Sequence, residues 1–253
     1  MLSFERHQAI LDLLDKNDSI QVVDLVSIFN VSEVTIRRDL DVLERKGLLR
    51  RVHGGAVSNT GRSYEPAFLI RSGKHSEEKM RIGRAAAELI ENGDSLMLDV
   101  GTTTLEITRF LTNHQNLTII TPSFQIAAQL VEHPGIRVIL PGGILRKGEL
   151  SLIGHLAESA INEFYVDKLF LAAGAVDPEI GFTEFNLEDT LVKRAMLRNA
   201  KDITALVDSS KFGKVALNAI ASLKAVNRII SDRNLDPEIV KKIQNMNIDL
   251  LLV

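Results

Sequence analysis

The residues best equipped for chemistry come directly after short apolar runs. SLMLD, which ends on Asp99, leads into Val100, Gly101, Thr102, Thr103 and Thr104, and LTII leads into Thr121, Pro122 and Ser123. IRVIL leads into Pro141, Gly142 and Gly143, with Arg146 and Lys147 close behind, and DITALV leads into Asp208, Ser209, Ser210 and Lys211. A glycine turn that opens on hydroxyls at a helix start offers free backbone N–H groups, hydroxyl donors and a favourable dipole, a combination suited to phosphate. Lys211 adds a compact charge for a phosphate or carboxylate. No lysine follows in the GxxxxGKT spacing, so this cradle is not a P-loop. Each stretch also has a plain explanation: threonines cap helices, paired glycines make turns, and a lysine is solvated.

What would bring the four stretches together is the order of the elements around them. From Ser95 onward β-rich runs alternate with helical patterns: SLMLDV, TTTLEITRFL, LTIIT, PSFQIAAQLVEH, IRVIL. The order resumes with DKLFLAA, a helix around Leu187 to Asn199, DITALV, a short loop and helix, NRIIS, a helix around Pro237 to Asn245, and IDLLLV. Such alternation predicts an α/β domain, a mostly parallel sheet with helices on both faces. Ligands of open parallel sheets bind outside the carboxyl ends of the strands, where all four stretches would lie. Before the first strand, Ser76 caps a predicted helix, SEEKMRIGRAAAELIENG, with Glu77 and Glu78 in its first turn and Gly93 at its end.

A second kind of chemistry is written at the front. In VSEVTIRRDLDVLERKGLLRRVHGGAV, residues 31–57, Ser32 is a good N-cap and Glu33 suits the positive helix end. Ile36, Leu40 and Leu43 form one buried stripe, and Gly47 after Lys46 stops the helix. Val34, Arg38, Asp41 and Arg45 then lie opposite the stripe, with Thr35 and Arg37 on its flanks. A cationic face near a helix N-terminus is where a recognition helix keeps its base-reading side chains. Leu48 to Val52 alternates like a strand and Gly54 and Gly55 permit a reversal, so Arg50, Arg51 and His53 fall on a wing, where arginines meet phosphates. Taken alone, this is also the pattern of a solvated surface helix. Two preceding helices supply the context. Ser3 to Asn17 turns Phe4, Ile10, Leu11 and Leu14 inward and Asp12 and Asp15 away; Asn17 to Ser19 breaks the pattern; Val22 to Phe29 is apolar enough to be sandwiched. That is helix-turn-helix order.

The chain has 253 residues, 45% of them hydrophobic, which suits a small domain plus a medium one. With no cysteine, a disulfide framework and a thiolate metal site are excluded. The six histidines have no metal-ligand spacing, and neither metal nor cofactor is expected. No apolar run is of membrane-spanning length and no signal peptide is evident, so a soluble cytoplasmic protein without membrane partners is expected. A net charge of -3 looks wrong for a DNA binder. It is unevenly spread: residues 1–32 carry two basic and five acidic side chains, and residues 33–57 six basic and four acidic. Expected boundaries are a winged helix-turn-helix at 1–57, a linker at 58–75 beginning with SNTGRS, and a sensing domain at 76–253. Tyr64 to His75, broken by Pro66 and Gly73, gives no clear helix.

The segments FERHQAILDLL and VSEVTIRRDLDVLERKGLLRRVHGGAV closely resemble the signature of the DeoR family of bacterial transcription regulators. DVGTTT, LTIITPS, LPGG, DKLF, EDTLVKRAM and DSSKFG resemble the successive motifs of that family's C-terminal sensor. The resemblance implies a domain similar in fold to ribose-5-phosphate isomerase that binds a phosphorylated sugar or sugar derivative. By it, Gly101 to Thr104 and Lys211 are the expected effector contacts, with Asp99, Thr121, Ser123, Gly142 and Gly143 around them. Pro122 departs from the family's usual asparagine, and AAGAVD at 172–177 is a looser match. The resemblance further implies a one-component regulator, a repressor of a carbohydrate operon, binding operator DNA as a homodimer or homotetramer through Ser32, Val34, Thr35, Arg37, Arg38, Arg45, Arg50, Arg51 and His53. The alternative is a sugar-phosphate isomerase with an accessory DNA-binding head, but the acid and base runs of those isomerases, DGADE and KGGGA, have no counterpart here. Glu184, Glu188 and Asp189 could point into a pocket, but the run NLEDTLVKRAM reads more readily as a helix start with acidic first-turn residues. A third reading makes the second domain an oligomerisation platform only.

Overall fold

The computed structural model describes residues 2–17, 19–45, 47–57 and 61–253. The expected break at Asp18, Lys46 before the helix stop, the first residues of the expected linker (Ser58, Asn59, Thr60) and the side chain of Asp15 lie outside the described residues. The chain divides into two compact units, Met1–Pro66 and Ala67–Val253.

In the first unit the order is α1 (Ser3–Asn17), β1 (Ser19–Gln21), α2 (Val22–Phe29), α3 (Glu33–Arg45), β2 (Arg50–Val52) and β3 (Gly55–Val57). Ile10, Leu14, Leu25, Ile36, Leu40, Leu43 and Leu49 close its core. The Ser32 hydroxyl accepts the Thr35 N–H at 3.2 Å, as an N-cap should. At the other end of α3, Gly47 N–H donates to Glu44 O at 2.8 Å and Leu48 N–H to Leu43 O at 2.9 Å, the paired bonds of a Schellman stop. The wing is a three-stranded antiparallel sheet, β1-β3-β2. Strand β1 was not legible in the sequence, and it explains Gly55: a Cβ there would stand 2.1 Å from Ile20 O. Two expectations fail. Phe4 is 80% exposed, because the buried place in the first turns of α1 goes to Arg6, which enters to meet Asp39 of α3. Helix α2 is not sandwiched: Val22 and Leu25 are buried, but Val23 and Ile28 are 70% and 57% exposed, since the neighbouring elements cover one side only.

The second unit begins with α4 (Phe68–Gly73) and α5 (Ser76–Ala87), followed by β4 (Ser95–Leu98), α6 (Thr102–Leu105) running into a 3-10 helix (Glu106–Phe110), β5 (Leu117–Ile120), α7 (Phe124–Leu130) and β6 (Ile136–Ile139). A hairpin of β7 (Ile144–Arg146) and β8 (Ser151–Ile153) leads to α8 (His155–Asn162), β9 (Val166–Leu171), β10 (Ala175–Asp177), β11 (Gly181–Glu184) and α9 (Leu187–Arg198). Then come β12 (Ala200–Leu206), a 3-10 turn (Ser209–Lys211), β13 (Asn218–Ala221), β14 (Arg228–Ser231), α10 (Pro237–Gln244) and β15 (Asp249–Leu252).

Seven strands make one sheet in the order β15-β14-β12-β9-β4-β5-β6, and every pairing in it is parallel. Because side chains alternate along a strand, the sheet buries two cores. Met97, Leu169 and Leu171 face α8, α9 and α10, whereas Leu96, Leu98 and Phe170 face α5, the 3-10 helix and α7. That is the α/β architecture with helices on both faces that the alternation predicts.

Several local expectations change. The helix anticipated after DITALV is a 3-10 turn followed by strand β13, which completes a small antiparallel sheet, β10-β11-β13. Ser76 does not cap α5: His75, at φ 53°, is the boundary residue and no side chain caps it. That helix ends at Ala87 rather than near Gly93, since Leu89 N–H and Ile90 N–H turn back to Ala86 O and Ala87 O in short bonds. The stretch 58–75, expected as linker, contains α4, which is held to the second unit by an ion pair of Arg71 with Glu149.

Candidate functional site

Helix α3 carries most of the residues expected to meet DNA. Arg38 is exposed and pairs with no carboxylate among the described residues, and Val34 is exposed close by. Arg37 is also outward, but its guanidinium is held by Glu33 one turn earlier, with N–O distances of 2.8 and 2.6 Å. Thr35 is half-buried and shares a hydrogen bond with the Ser32 hydroxyl at 2.9 Å. Arg45 is exposed, donating from Nε to Asp41 O at 3.2 Å. The two wing arginines separate. Arg50 is exposed, whereas Arg51 turns toward α3, where its guanidinium pairs with Asp41 and its backbone N–H donates to Glu44 at 2.8 Å. His53 is exposed at the hairpin tip.

Behind that face lies a polar tie with no counterpart in the expected stripe. Arg6 of α1 grips Asp39 of α3 with both fork nitrogens, Nε at 2.5 Å and Nη2 at 3.2 Å, and His7 Nε2 adds a contact at 2.8 Å. The hydrogen bond to Asp39 pushes the Arg6 pKa up, against the cost of burial. Spacing could have revealed Asp39: with Ile36, Leu40 and Leu43 it completes the i, i+3, i+4, i+7 stripe.

In the second unit the loops after β4, β5, β6, β9 and β12 share the carboxyl edge of the sheet. Strand direction of travel reverses at β4, with β5 and β6 laid to one side and β9 onward to the other, so the β4/β9 junction is a topological switch point. Asp99 sits there, buried, and accepts the Ala172 N–H at 2.9 Å across the junction. Its main partner is Lys193 of α9, whose ammonium lies 2.5 Å from Asp99, 3.4 Å from Glu184 and 3.2 Å from Ala172 O. Burial works against the Lys193 charge, but Asp99 and Glu184 outweigh it and push its pKa up. Burial pushes the Asp99 carboxyl up in turn, with Lys193 opposing. The pair is a buried salt bridge that fixes the floor of the edge.

The hydroxyls divide into two groups. Thr104 Oγ1 donates back to Asp99 O at 2.8 Å, Thr121 Oγ1 donates to Leu98 O at 2.7 Å, and Ser123 Oγ caps α7 by accepting Ile126 N–H at 3.2 Å. Those three hold their loops. Gly101 does so by size, since a Cβ there would meet the Ala172 Cβ at 2.7 Å. Thr102 and Thr103 lie on the same turn, buried, and Gly142 and Gly143 are exposed after β6. Lys211 is half-buried in the 3-10 turn that Asp208 caps. Burial pushes its ammonium pKa down, with Arg71 and Lys214 adding and Asp208 and Glu184 opposing.

Sequence reasoning missed Lys193, Glu184 as its partner, and two ties around the edge: Arg146 with Asp189 at 2.5 Å, and Arg71 with Glu149. The signal for Lys193 was present, because Asp189, Lys193 and Met196 fall on the buried side of α9 at helical spacing.

A helix-turn-helix reader and an α/β sensing unit in one chain define a DNA-binding regulator with a built-in sensor. A model of the DeoR-like helix-turn-helix domain matches residues 6–62, and a model of the DeoR C terminal sensor domain matches residues 74–233. The regulator YulB of Bacillus subtilis is 37% identical over 100% of this chain and 98% of its own length, and FruR of the same organism is 36% identical over 92% of each. The glycerol-3-phosphate regulon repressor of Escherichia coli is 34% identical over 92% of each chain. The chain therefore belongs to the DeoR family of transcriptional regulators. Among solved structures, ribose 5-phosphate isomerase A from Methanocaldococcus jannaschii aligns over 55% of each chain at 19% identity and a TM-score of 0.41, too distant a likeness to carry an argument. Among the described residues no helix is long and apolar enough to cross a membrane.

Proposed function

We propose that the protein is a cytoplasmic repressor of a carbohydrate operon, acting without catalysis, whose operator affinity is set by a phosphorylated sugar or sugar derivative. The carrying observation is that one chain joins an outward arginine on a recognition helix to a loop-lined, cation-bearing edge at the switch point of a parallel sheet. Arg38 is the first candidate for a bidentate base contact, with Thr35, Arg37 and Val34 beside it. Arg45, Arg50, His53 and Ser32 would meet backbone, while Arg51 sets the angle of the wing. For the effector, Thr102, Thr103 and Lys211 are the direct contacts we assign, with Gly142 and Gly143 leaving room for backbone approach. Asp99, Gly101, Thr104, Thr121 and Ser123 shape the loops, as their internal hydrogen bonds argue.

The glycerol-3-phosphate regulon repressor and the putative aga operon repressor among its relatives support the repressor reading. Operators of a symmetric regulator have two half-sites, so a homodimer or homotetramer is the form proposed to bind them. The domains proposed are a reader at 1–57 and a sensor at 76–253. The test is release of a DNA fragment from upstream of the protein's own gene by a panel of sugar and polyol phosphates. One compound should release it and also raise the protein's melting temperature by mass action. Turnover of a phosphopentose by the purified chain would replace this reading with the isomerase one.

A further inference from the structure

Arg71 stands on α4, the first element after the reader unit ends at Pro66. Its guanidinium pairs with Glu149, in the turn of the β7–β8 hairpin, and the two side chains are only 13% and 6% exposed. The end of α4 is fixed by the buried Lys79 of α5, whose ammonium donates to Arg71 O and, at 2.7 Å, to Lys74 O. Arg71 is also within electrostatic reach of Lys211, so three cations, Arg71, Lys79 and Lys211, crowd one place. The carboxylates that face them are Glu149 on Arg71, Asp208 toward both lysines, Glu106 toward Lys79, and Glu184, which also meets Lys193. Two residues beyond Glu149, the Ser151 hydroxyl is buried and has no hydrogen-bond partner among the described residues, although Ser151 bridges to Ser123 of the β5 loop. A buried hydroxyl left without a partner, on the hairpin whose turn holds Arg71, is a polar group that a bound anion could satisfy, and the nearby cations would favour one.

We propose that Arg71 is a ligand for the effector's phosphate, exchanging Glu149 for it, so that occupancy acts directly on the element that joins the sensor to the reader. This rests on the effector reading of the same edge. It deepens that reading by giving the anion a contact outside the strand-end motifs. Arginine can meet phosphate with two parallel charge-assisted hydrogen bonds, whereas Glu149 is met through the single Nη2–Oε2 contact, so phosphate offers the guanidinium a second bond. An anion that takes the fork from Glu149 loosens the hold of the hairpin on α4.

The probe is inorganic phosphate, titrated into the full chain while thermal unfolding is followed. Arg71→Ala is expected to weaken the apparent phosphate affinity about ten- to hundredfold, the worth of a charge-assisted contact. Glu149→Gln, which removes the competitor, is expected to tighten it several-fold, and Lys211→Ala to weaken it. A tie that serves structure alone moves melting temperature in both Arg71→Ala and Glu149→Gln but leaves phosphate affinity alone or changes it in the same direction. Either result overturns the proposal. If Lys211→Ala loses the response and Arg71→Ala keeps it, the effector site stands and Arg71 is no part of it. If the wild-type chain shows no phosphate shift, both readings fall. Should Arg71→Ala not fold, Arg71→Lys, which keeps charge but not the fork, carries the same expectation of weaker binding.

Discussion

On α3 the Arg38 guanidinium stands in solvent, while at the sheet edge the Lys193 ammonium is 3% exposed and sits against two carboxylates. Both units bury an ion pair, Arg6 with Asp39 in the first and Asp99 with Lys193 in the second, but the first also leaves Arg38 and Arg50 outward. The difference is the one the proposed ligands would require. DNA brings its own dense row of phosphates to a flat cationic face, and the protein's arginines need only be presented. A small anion must be desolvated in a crevice, so the crevice's charges have to be balanced before it arrives.

Breaking the inward side should have the largest effect. Lys193→Met leaves Asp99 and Glu184 buried without their cation, and losing one partner of such a pair costs about 3–5 kcal/mol. Chemical denaturation should show that loss in the sensor unit, and a change of less than about 1 kcal/mol would mean the pair is not the floor described. Asp39→Asn is the equivalent break in the reader, where it strands Arg6; a loss of similar sign but smaller size is expected, with weaker operator binding following from a displaced α3.

On the outward side, Arg38→Ala should lower operator affinity roughly 5- to 150-fold, the worth of one bidentate base contact, and leave the melting temperature unchanged. Arg37→Ala should do less, because Glu33 already shares its charge. Gel-shift titration measures both. Equal losses would place both arginines at the bases, and a larger loss from Arg37→Ala would place Arg37 there rather than its neighbour. The wing gives a finer contrast. Arg50→Ala should reduce the salt dependence of DNA binding by about one unit of slope. Arg51→Ala should instead lower thermal stability, since Asp41 loses its partner.

The smallest effect concerns pH. Burial pushes Lys79 down to about 8, with Lys211 and Arg71 adding and Asp208 and Glu106 opposing. Between that value and the ordinary lysine range the folded chain binds fewer protons than the unfolded one, so this group makes stability rise with pH there. Lys79→Met should flatten the rise in a pH series of melting curves. Phosphate should flatten it in the wild-type chain, because a bound anion favours the protonated lysines.

The α/β alternation, the three helices of the reader and the four polar stretches after strands were all legible, because burial on one face or two leaves a period in the sequence. Ser32 and Gly47 marked the ends of α3 for the same local reason: capping depends on neighbours three or four residues away. What failed was non-local. Strand β1 exists because Gly55 lets it approach, and β13 pairs with β11 across more than thirty residues. Phe4 left its expected inward place because a partner on α3 draws Arg6 into the interior instead.

The chain's own text therefore determined that there is a reader with an arginine-bearing helix and a sheet whose edge collects glycines, hydroxyls and Lys211. Only the tertiary structure decided which charges are free to meet a ligand and which are spent on one another. Helical and strand periods say which way a side chain faces, but an ion pair such as Asp99 with Lys193 or Arg71 with Glu149 joins residues 94 and 78 positions apart. No pattern of local spacing encodes that distance; it comes from packing the sheet, its helices and its hairpin into one interior.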